Sequence, residues 1–440
     1  MNRKTLKEVL DLALPIIGGM VSQNVLNLVD TAMVGSLGDA ALAAVGMAGF
    51  VNFMCVAVVM GLSAGVQAMA SRRKGEGNSE SSAVPLNGGL LLSFLIAVPL
   101  SALLAFLTPK MFPLLVSDEL VVREGTPYLQ VRLLAMTALG MNYSFRGYWN
   151  GINLSKIYLR TLVIMHLSNL LLNYLLIFGK FGFPELQTLG AGIGTAIANY
   201  IGTAVYFFLA FRLARGNGFL QRMPRKDTLK TIIRISLPVS VQQLFFATGM
   251  TVFFWIVGQI GTRELAANNV LVNLLLVCIL PGIGFGMACA TLVGQALGRN
   301  DPSAAKQWGW TVCRIAALSI GVLGLPAALF PEFFLQFFIH DPQTMDLAIL
   351  PLRIVTSMIA LDSIGLVLFN AMSGAGYTRT PMILSIVMQW GIYLPIAYFM
   401  CIELGYGLVA IWAGQMCYRA VQALILTRIW SNGKWAAVEI

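Results

Sequence analysis

Twelve apolar stretches, each of roughly 20 residues or more, follow one another along this chain with only short polar breaks between them. A hydrocarbon core of ~30 Å takes ~20 apolar residues per helix, so each stretch is long enough to cross it. Twelve crossings use the whole of the 440 residues and leave no room for a soluble catalytic domain. Composition agrees: 58% of the residues are hydrophobic and 11% charged, where a soluble domain carries about 25% charged. The stretches predict helices at 9–34, 41–70, 86–108, 125–149, 159–179 and 190–213, then at 232–257, 264–296, 309–331, 346–371, 380–402 and 406–430.

The plan occurs twice. Shifted by 223 residues, the chain matches itself without a gap from the first stretch through the second. Leu14 and Pro15 fall on Leu237 and Pro238, Val34 and Gly35 on Val257 and Gly258, Gly61 on Gly284 and Gly75 on Gly298. Later the offset drifts with loop length, to 224 where Phe145 meets Phe369 and to 215 where Leu189 and Gly190 meet Leu404 and Gly405. Each half holds six helices, an even number that returns the chain to its starting side, so the copies are parallel repeats related by an axis along the membrane normal. The fold class expected is an all-α membrane protein: twelve transmembrane helices in two parallel six-helix repeats, an N-lobe (1–215) and a C-lobe (232–440), around a central cleft, with a basic cytoplasmic linker at 216–231. Rocking two such lobes exposes a cleft alternately to either side, which is transporter architecture. Duplication also builds channels and scaffolds, so the polar residues within the helices matter.

A formal charge of +10 invites a nucleic-acid partner, but the basic residues are sorted by side rather than gathered in a patch. With the N-terminus taken as cytoplasmic, 23 of the 29 Lys and Arg fall in the loops and flanks of that side, seven of them between Arg212 and Arg234. Six fall on the other side: Lys110, Arg123, Arg132, Lys180, Arg263 and Arg353. This is the positive-inside bias, and it orients a multi-pass protein with both termini cytoplasmic. Nucleic-acid binding has no support. The six cysteines (Cys55, Cys278, Cys289, Cys313, Cys401, Cys417) lie scattered in apolar stretches and read as small core residues. The first stretch contains Pro15 and polar residues as far as Asp30, with no small-residue cleavage site, and reads as a retained helix rather than a signal peptide.

Of the 19 acidic residues, only Asp30 and Asp362 fall deep in apolar helices. A central charge costs ~2.5–3.5 kcal/mol even on insertion scales, so an intramembrane carboxylate needs a reason. Gln23, Asn27 and Asp30 lie on one stripe of the first helix at spacings of four and three. The fifth helix carries His166, Asn169 and Asn173, and the sixth Thr195 and Asn199. Counted from the helix ends, Asp30, Asn173 and Thr195 stand at similar depth and together suit a carboxylate ringed by amides. Such a group can trade a proton; the same carboxylate, carbonyl and hydroxyl oxygens also suit sodium, and the residues leave both open. A plainer reading makes the amides interhelical hydrogen bonds of ~0.6 kcal/mol each and Asp30 a buried acceptor. His166 has no second His or Cys beside it and reads as a packing or hydrogen-bonding residue rather than a ligand. Pro15 removes a backbone bond inside the first helix and is a candidate hinge. The many Met and Phe face lipid or core, and any that line the cleft suit varied, greasy substrates.

Together these residues resemble a known family. The Leu14–Pro15 start, Val29-Asp30-Thr31 followed by Val34-Gly35, the glycine-rich second and eighth helices and the duplicated plan are similar to the MATE (multidrug and toxic compound extrusion) transporters over essentially the whole chain. The first helix, with Gln23, Asp30 and Pro15, is most similar to the DinF-like branch. The resemblance implies a secondary active multidrug exporter, a monomer that moves cationic or amphipathic small molecules by alternating access in exchange for a cation. The ion is expected to be H+, with Na+ the alternative; no cofactor and no metal is implied, and no partner besides substrate and membrane lipid. Asp30 takes the coupling role by resemblance, Gln23, Asn169, Asn173 and Thr195 match the surrounding polar cluster, and Pro15 matches the bending proline. Asn173 stands where archaeal members have a second acid. Asp362 to Gly374 resembles the tenth-helix segment of the NorM-like branch, whose acid contributes to a C-lobe cation site, although Phe246 and Ala247 occupy the stretch where that site has a glutamate. Asp362 is accordingly an accessory cation or substrate site, or a structural residue.

Other functions make different demands. A lipid-linked saccharide flippase of similar architecture is expected to line its cleft with several Arg or Lys, whereas here the basic residues avoid the apolar cores, Arg132 and Arg353 being the main candidates. A membrane enzyme is disfavoured because His166 and His340 form no HExxH pair. A passive channel would show flux independent of any gradient.

Overall fold

Short polar signals begin helices that the apolar runs only outline. Asp301 and Asp341 each precede a proline, and their side chains accept hydrogen bonds from the first turn, from Ala304 N–H at 2.8 Å and Thr344 N–H at 3.0 Å. An N-cap carboxylate satisfies a donor that has no partner inside the helix, and proline at the first position gives up only an N–H that would be orphaned anyway. The Thr344 hydroxyl also donates to Asp341, at 2.7 Å; these bonds, with the Arg263 charge nearby, hold the Asp341 carboxyl below the usual carboxylate range.

The computed structural model describes residues 3–440, and no strand occurs among them. Eleven helices are long and apolar enough to cross a membrane: Arg3–Gly35, Asp39–Gly75, Ser79–Leu115, Ser155–Phe178, Gln187–Leu213, Lys226–Ile260, Thr262–Gly298, Pro302–Leu329, Pro342–Gly374, Arg379–Glu403 and Gly407–Asn432. The fourth helix in chain order completes the set as two 16-residue pieces, Glu119–Leu134 and Met136–Gly151. They meet at Ala135, whose N–H bonds to the carbonyls of both Val131 and Arg132, so the turn tightens without breaking. With Arg123, Glu124, Arg132 and Arg146 along it, this is a less apolar crossing than its neighbours. Large apolar side chains point outward from the helices, among them Phe106 (71% exposed), Leu318 (69%) and Val322 (64%), a surface that lipid rather than water covers. The chain is a multi-pass, all-α membrane protein, six helices followed by six.

The eleventh helix departs from α geometry. Residues Val387–Tyr393 form a π-helical turn just before Pro395, and Phe399–Glu403 form a second. Proline has no N–H to give and its ring crowds the carbonyl four residues back, so a wider turn relieves the conflict. The indole of Trp390, in the first π turn, donates to the Phe245 carbonyl of the seventh helix at 3.0 Å.

By contact the chain divides into two compact units, one of Gly18–Val241, the other of the residues up to Ile17 together with Gln242–Ile440. The divisions fall within the first and seventh helices, just after Pro15 and its repeat partner Pro238. In the first unit, a side chain at Gly61 would strike the Ser236 carbonyl, and Gly61 N–H donates to Ser240 Oγ at 3.2 Å. In the second, Gly284, which is Gly61 shifted by 223, lies against Ile17. The close contact is therefore repeated: the start of the seventh helix packs on the second, and the start of the first packs on the eighth. The Gly18–Val241 unit has an aromatic core around Phe145 and Tyr206, stacked at 5.1 Å; the other buries Val9, Leu12 and Ala13 with Phe253, Val257 and Trp412.

Candidate functional site

Asp30 lies near the end of the first helix and is half-buried. Asn173, fully buried on the fifth helix, donates from Nδ2 to Asp30 Oδ1 at 2.9 Å and to Asn169 Oδ1 at 3.2 Å. Because a carboxylate only accepts, this contact fixes the amide with its nitrogen toward Asp30. Asn169 Nδ2 in turn donates to Thr195 Oγ1 on the sixth helix at 3.0 Å, and Thr195 Oγ1 to the Ala191 carbonyl at 2.9 Å. Asn199 Nδ2 donates to the Thr195 carbonyl at 2.8 Å. The residues form a line rather than a ring: one carboxylate, then Asn173, Asn169, Thr195 and Asn199. The spacing explains the line, since residues four apart on the fifth and sixth helices stack along facing stripes.

Two further side chains extend it that the sequence reading did not single out. Asn142 Nδ2 on the fourth helix donates to the Asn199 carbonyl at 3.1 Å, and Thr203 Oγ1 donates to Asn142 Oδ1 at 2.9 Å. Thr203 follows Asn199 by the same four residues that separate Asn199 from Thr195, so half of this extension was available as a pattern. The line has one defect: Asn173 Oδ1 is buried without a hydrogen-bond partner and faces Gly194, where any Cβ would strike it. Arg132 makes no salt bridge to Asp30, although its charge acts on it; its guanidinium lies 5.9 Å from the centre of the Tyr128 ring.

Gln23 and Asn27 form a second group on the exposed face of the first helix. Gln23 Nε2 donates to Asn27 Oδ1 at 3.1 Å, and Gln23 Oε1 lies 3.1 Å from His166 Nε2. His166 is thus a hydrogen-bonding residue, and its Nδ1 is buried without a partner. Pro15 is buried in a first helix that continues through it. Among the described residues no three His, Cys, Asp or Glu side chains gather as a metal-binding group.

Asp362, on the tenth helix, is buried and ion-paired. Arg419 of the twelfth helix donates to it twice, Nε to Oδ1 at 2.5 Å and NH2 to Oδ2 at 2.7 Å, with side-chain exposures of 7% for Asp362 and 14% for Arg419. Met358, Leu361 and Met416 line a recess beside the pair. This corrects the expectation that basic residues avoid the apolar cores. Arg419 was counted with the cytoplasmic flank, yet it sits at the middle of Gly407–Asn432. The inside bias of the other basic residues survives its removal.

The repeat offsets show how differently the two units are furnished. Asp30 falls on Phe253 at 223; Asn169 and Asn173 fall on Tyr393 and Ala397 at 224, the shift that also carries Ser155 to Arg379; Thr195 and Asn199 fall on Ala410 and Gly414 at 215. Where the first unit has a polar line, the second has an aromatic cluster, with Phe253 5.8 Å from Trp412 and Tyr393 stacked on Tyr418 at 4.6 Å. Conversely, Asp362 and Arg419 fall on Ala138 and Ala204.

The MatE family model matches this chain twice, over residues 15–175 and 238–399, with starts separated by the same 223 residues as the internal repeat. Curated relatives include a probable multidrug resistance protein NorM of Thermotoga maritima, 26% identical over 440 residues, which covers 98% of this chain and 93% of that protein. The multidrug resistance protein NorM of Burkholderia vietnamiensis is 27% identical over 426 residues, 94% of this chain and 91% of its own. Among solved structures, an outward-facing multidrug resistance MATE family transporter superposes with a TM-score of 0.88 at 21% identity, over 98% of this chain and 97% of that one. A transporter of the MOP superfamily from Pyrococcus furiosus gives 0.86 at 22% identity, over 97% and 95%. At these identities the structural likeness speaks for the fold.

Proposed function

This chain belongs to the MatE family, and from that premise we propose that it is a multidrug exporter in which a proton exchanged at Asp30 drives cationic or amphipathic compounds outward. The observation that carries the reading is the bond from Asn173 to Asp30: a half-buried carboxylate in a membrane helix is met by a neutral amide and makes no salt bridge. Such a group is unpaired whenever it is charged, and a proton is the simplest way to relieve it.

Protonation changes what the site can do. A charged carboxylate makes a charge-assisted bond roughly twice as strong as a neutral one. Adding the proton weakens the pull on Asn173 and turns one Asp30 oxygen into a donor, for which the unpartnered Asn173 Oδ1 is an acceptor once the amide turns. Asn169, Thr195 and Asn199 are bonded in series behind Asn173, so a turn there disturbs the seat of the first helix against the fifth and sixth. Pro15 lies on the cytoplasmic side of that seat as a hinge. Gln23, Asn27 and His166, on the more exposed face, are suited to contact polar groups of substrate. Asp362 is an accessory feature. We place the protein as a monomer in the bacterial inner membrane with both termini cytoplasmic, its halves 1–215 and 232–440 joined by the linker at 216–231. It is a carrier rather than an enzyme, with no cofactor besides the coupling ion. The flippase alternative is not favoured: it needs several free basic groups, and Arg419 is already bound to Asp362.

The test is transport of a fluorescent cation in everted vesicles, with a pH gradient and a sodium gradient imposed separately. Asp30→Asn is expected to abolish proton-driven transport while the protein stays folded and inserted. Proton-driven transport retained in that variant rejects the reading, and activity on a sodium gradient alone reassigns the ion.

A further inference from the structure

The two intramembrane carboxylates are compensated in opposite ways. Asp30 meets an amide, whereas Asp362 meets a guanidinium that satisfies both of its oxygens. A buried charge in a membrane helix requires an opposite charge, and that charge is either borrowed from solution or built into the chain. We propose that Arg419 is a resident counter-cation: it occupies the place on Asp362 that a proton or metal cation would otherwise fill, and so confines exchange of the coupling ion to Asp30.

The geometry favours a permanent occupant. The guanidinium is planar and always charged, and its fork matches a carboxylate at two points, so the edge on which both oxygens would hold a monovalent ion is taken. Met358, Leu361, Met416 and Ala420 line the adjoining recess and offer no carboxylate, amide or imidazole to hold a second ligand. The repeat places Ala138 and Ala204 at the equivalent positions of the other unit, so the pair is peculiar to one half. The arrangement explains how a second acid persists in the membrane without adding a second exchangeable ion.

Only the consequence for coupling rests on the proposed function; the occupancy of Asp362 is open to a binding measurement on the full-length purified chain. Proton uptake and binding of radioactive sodium would be compared in detergent for the parent chain, Arg419→Gln, Arg419→Lys and the double variant Asp362→Asn/Arg419→Gln. Arg419→Gln is expected to take up one more cation per protein than the parent, as proton or sodium, because Asp362 is left alone. Arg419→Lys is expected to restore the parental count, and the double variant to match it. If folded Arg419→Gln binds no additional cation, or if the double variant loses a cation that the parent holds, the proposal is wrong. Should Arg419→Gln not fold, the neutral double variant still decides, since a buried ion pair replaced on both sides by neutral groups is often tolerated. Failure of the exporter reading appears elsewhere, as transport that ignores Asp30→Asn with the binding counts unchanged.

Discussion

Asn173 is fully buried, donates to two acceptors, Asp30 among them, and keeps one oxygen idle. Asn173→Ala removes both donated bonds. Its cost should be about 1–2 kcal/mol in the thermal stability of the purified protein, as for a buried hydrogen-bonding group. Proton-driven transport should fall by about tenfold, the factor that roughly 1.4 kcal/mol of lost coupling corresponds to. Asn199→Ala breaks the same kind of bond further along the line and should cost similar stability with little loss of transport. Equal transport defects in the two variants would mean that the amides act as general packing rather than through Asp30. Residues of this line were legible in the sequence because spacings of three and four put them on one face and the helix ends set their depth. Asn142 was not, since it has no polar amide three or four residues away on the fourth helix and carries no pattern until the sixth helix packs against it. Arg419 was misplaced for a related reason: counting charges by side assigns an arginine to a flank, and only the approach of the tenth and twelfth helices reveals a carboxylate in reach.

At the scale of elements, apolar runs report how much of a helix meets hydrocarbon and not how long the helix is. The first run ends at 9 and 34 while the helix spans Arg3–Gly35, and the seventh at 232 and 257 while the helix spans Lys226–Ile260. Polar residues at these ends continue the backbone ladder beyond the apolar run, where hydropathy gives no signal. The π turns of the eleventh helix had a visible cause in Pro395, but proline predicts a disturbance and not its form. The exchange of helix starts between the compact units was likewise beyond the sequence, although the matched glycines at 61 and 284 marked the contact points. Pro15 stands just before that division. Pro15→Ala restores an N–H able to reach the Asp11 carbonyl, and interior proline costs ~3 kcal/mol or more in water. Membrane helices recover part of that cost through neighbouring groups. The variant should therefore melt a few degrees higher and transport more slowly, with cation binding at Asp30 unchanged. A higher melting temperature with undiminished transport would make Pro15 a static feature of the helix.

Across the whole molecule, one backbone plan is used twice and one set of chemical groups only once. The proposed proton exchange needs an acid whose neighbours tolerate both of its forms, and amides on the fifth and sixth helices stand behind a carboxylate only in the Gly18–Val241 unit. If the neighbours rather than the position make Asp30 competent, the equivalent position should not work when given the same acid. Phe253 is 2% exposed and packs against Phe254, Tyr393 and Trp412, with alanine and tyrosine where Asn173 and Asn169 would be needed. Phe253→Asp therefore buries a carboxylate without a donor, at ~2.5–3.5 kcal/mol for the charge alone, and also loses aromatic packing. The expected result is lower membrane yield and a lower melting temperature, with no transport regained when the substitution is combined with Asp30→Asn. Recovery of proton-driven transport in that double variant would show that depth within the repeat, and not the amide line, is what makes an acid exchangeable here.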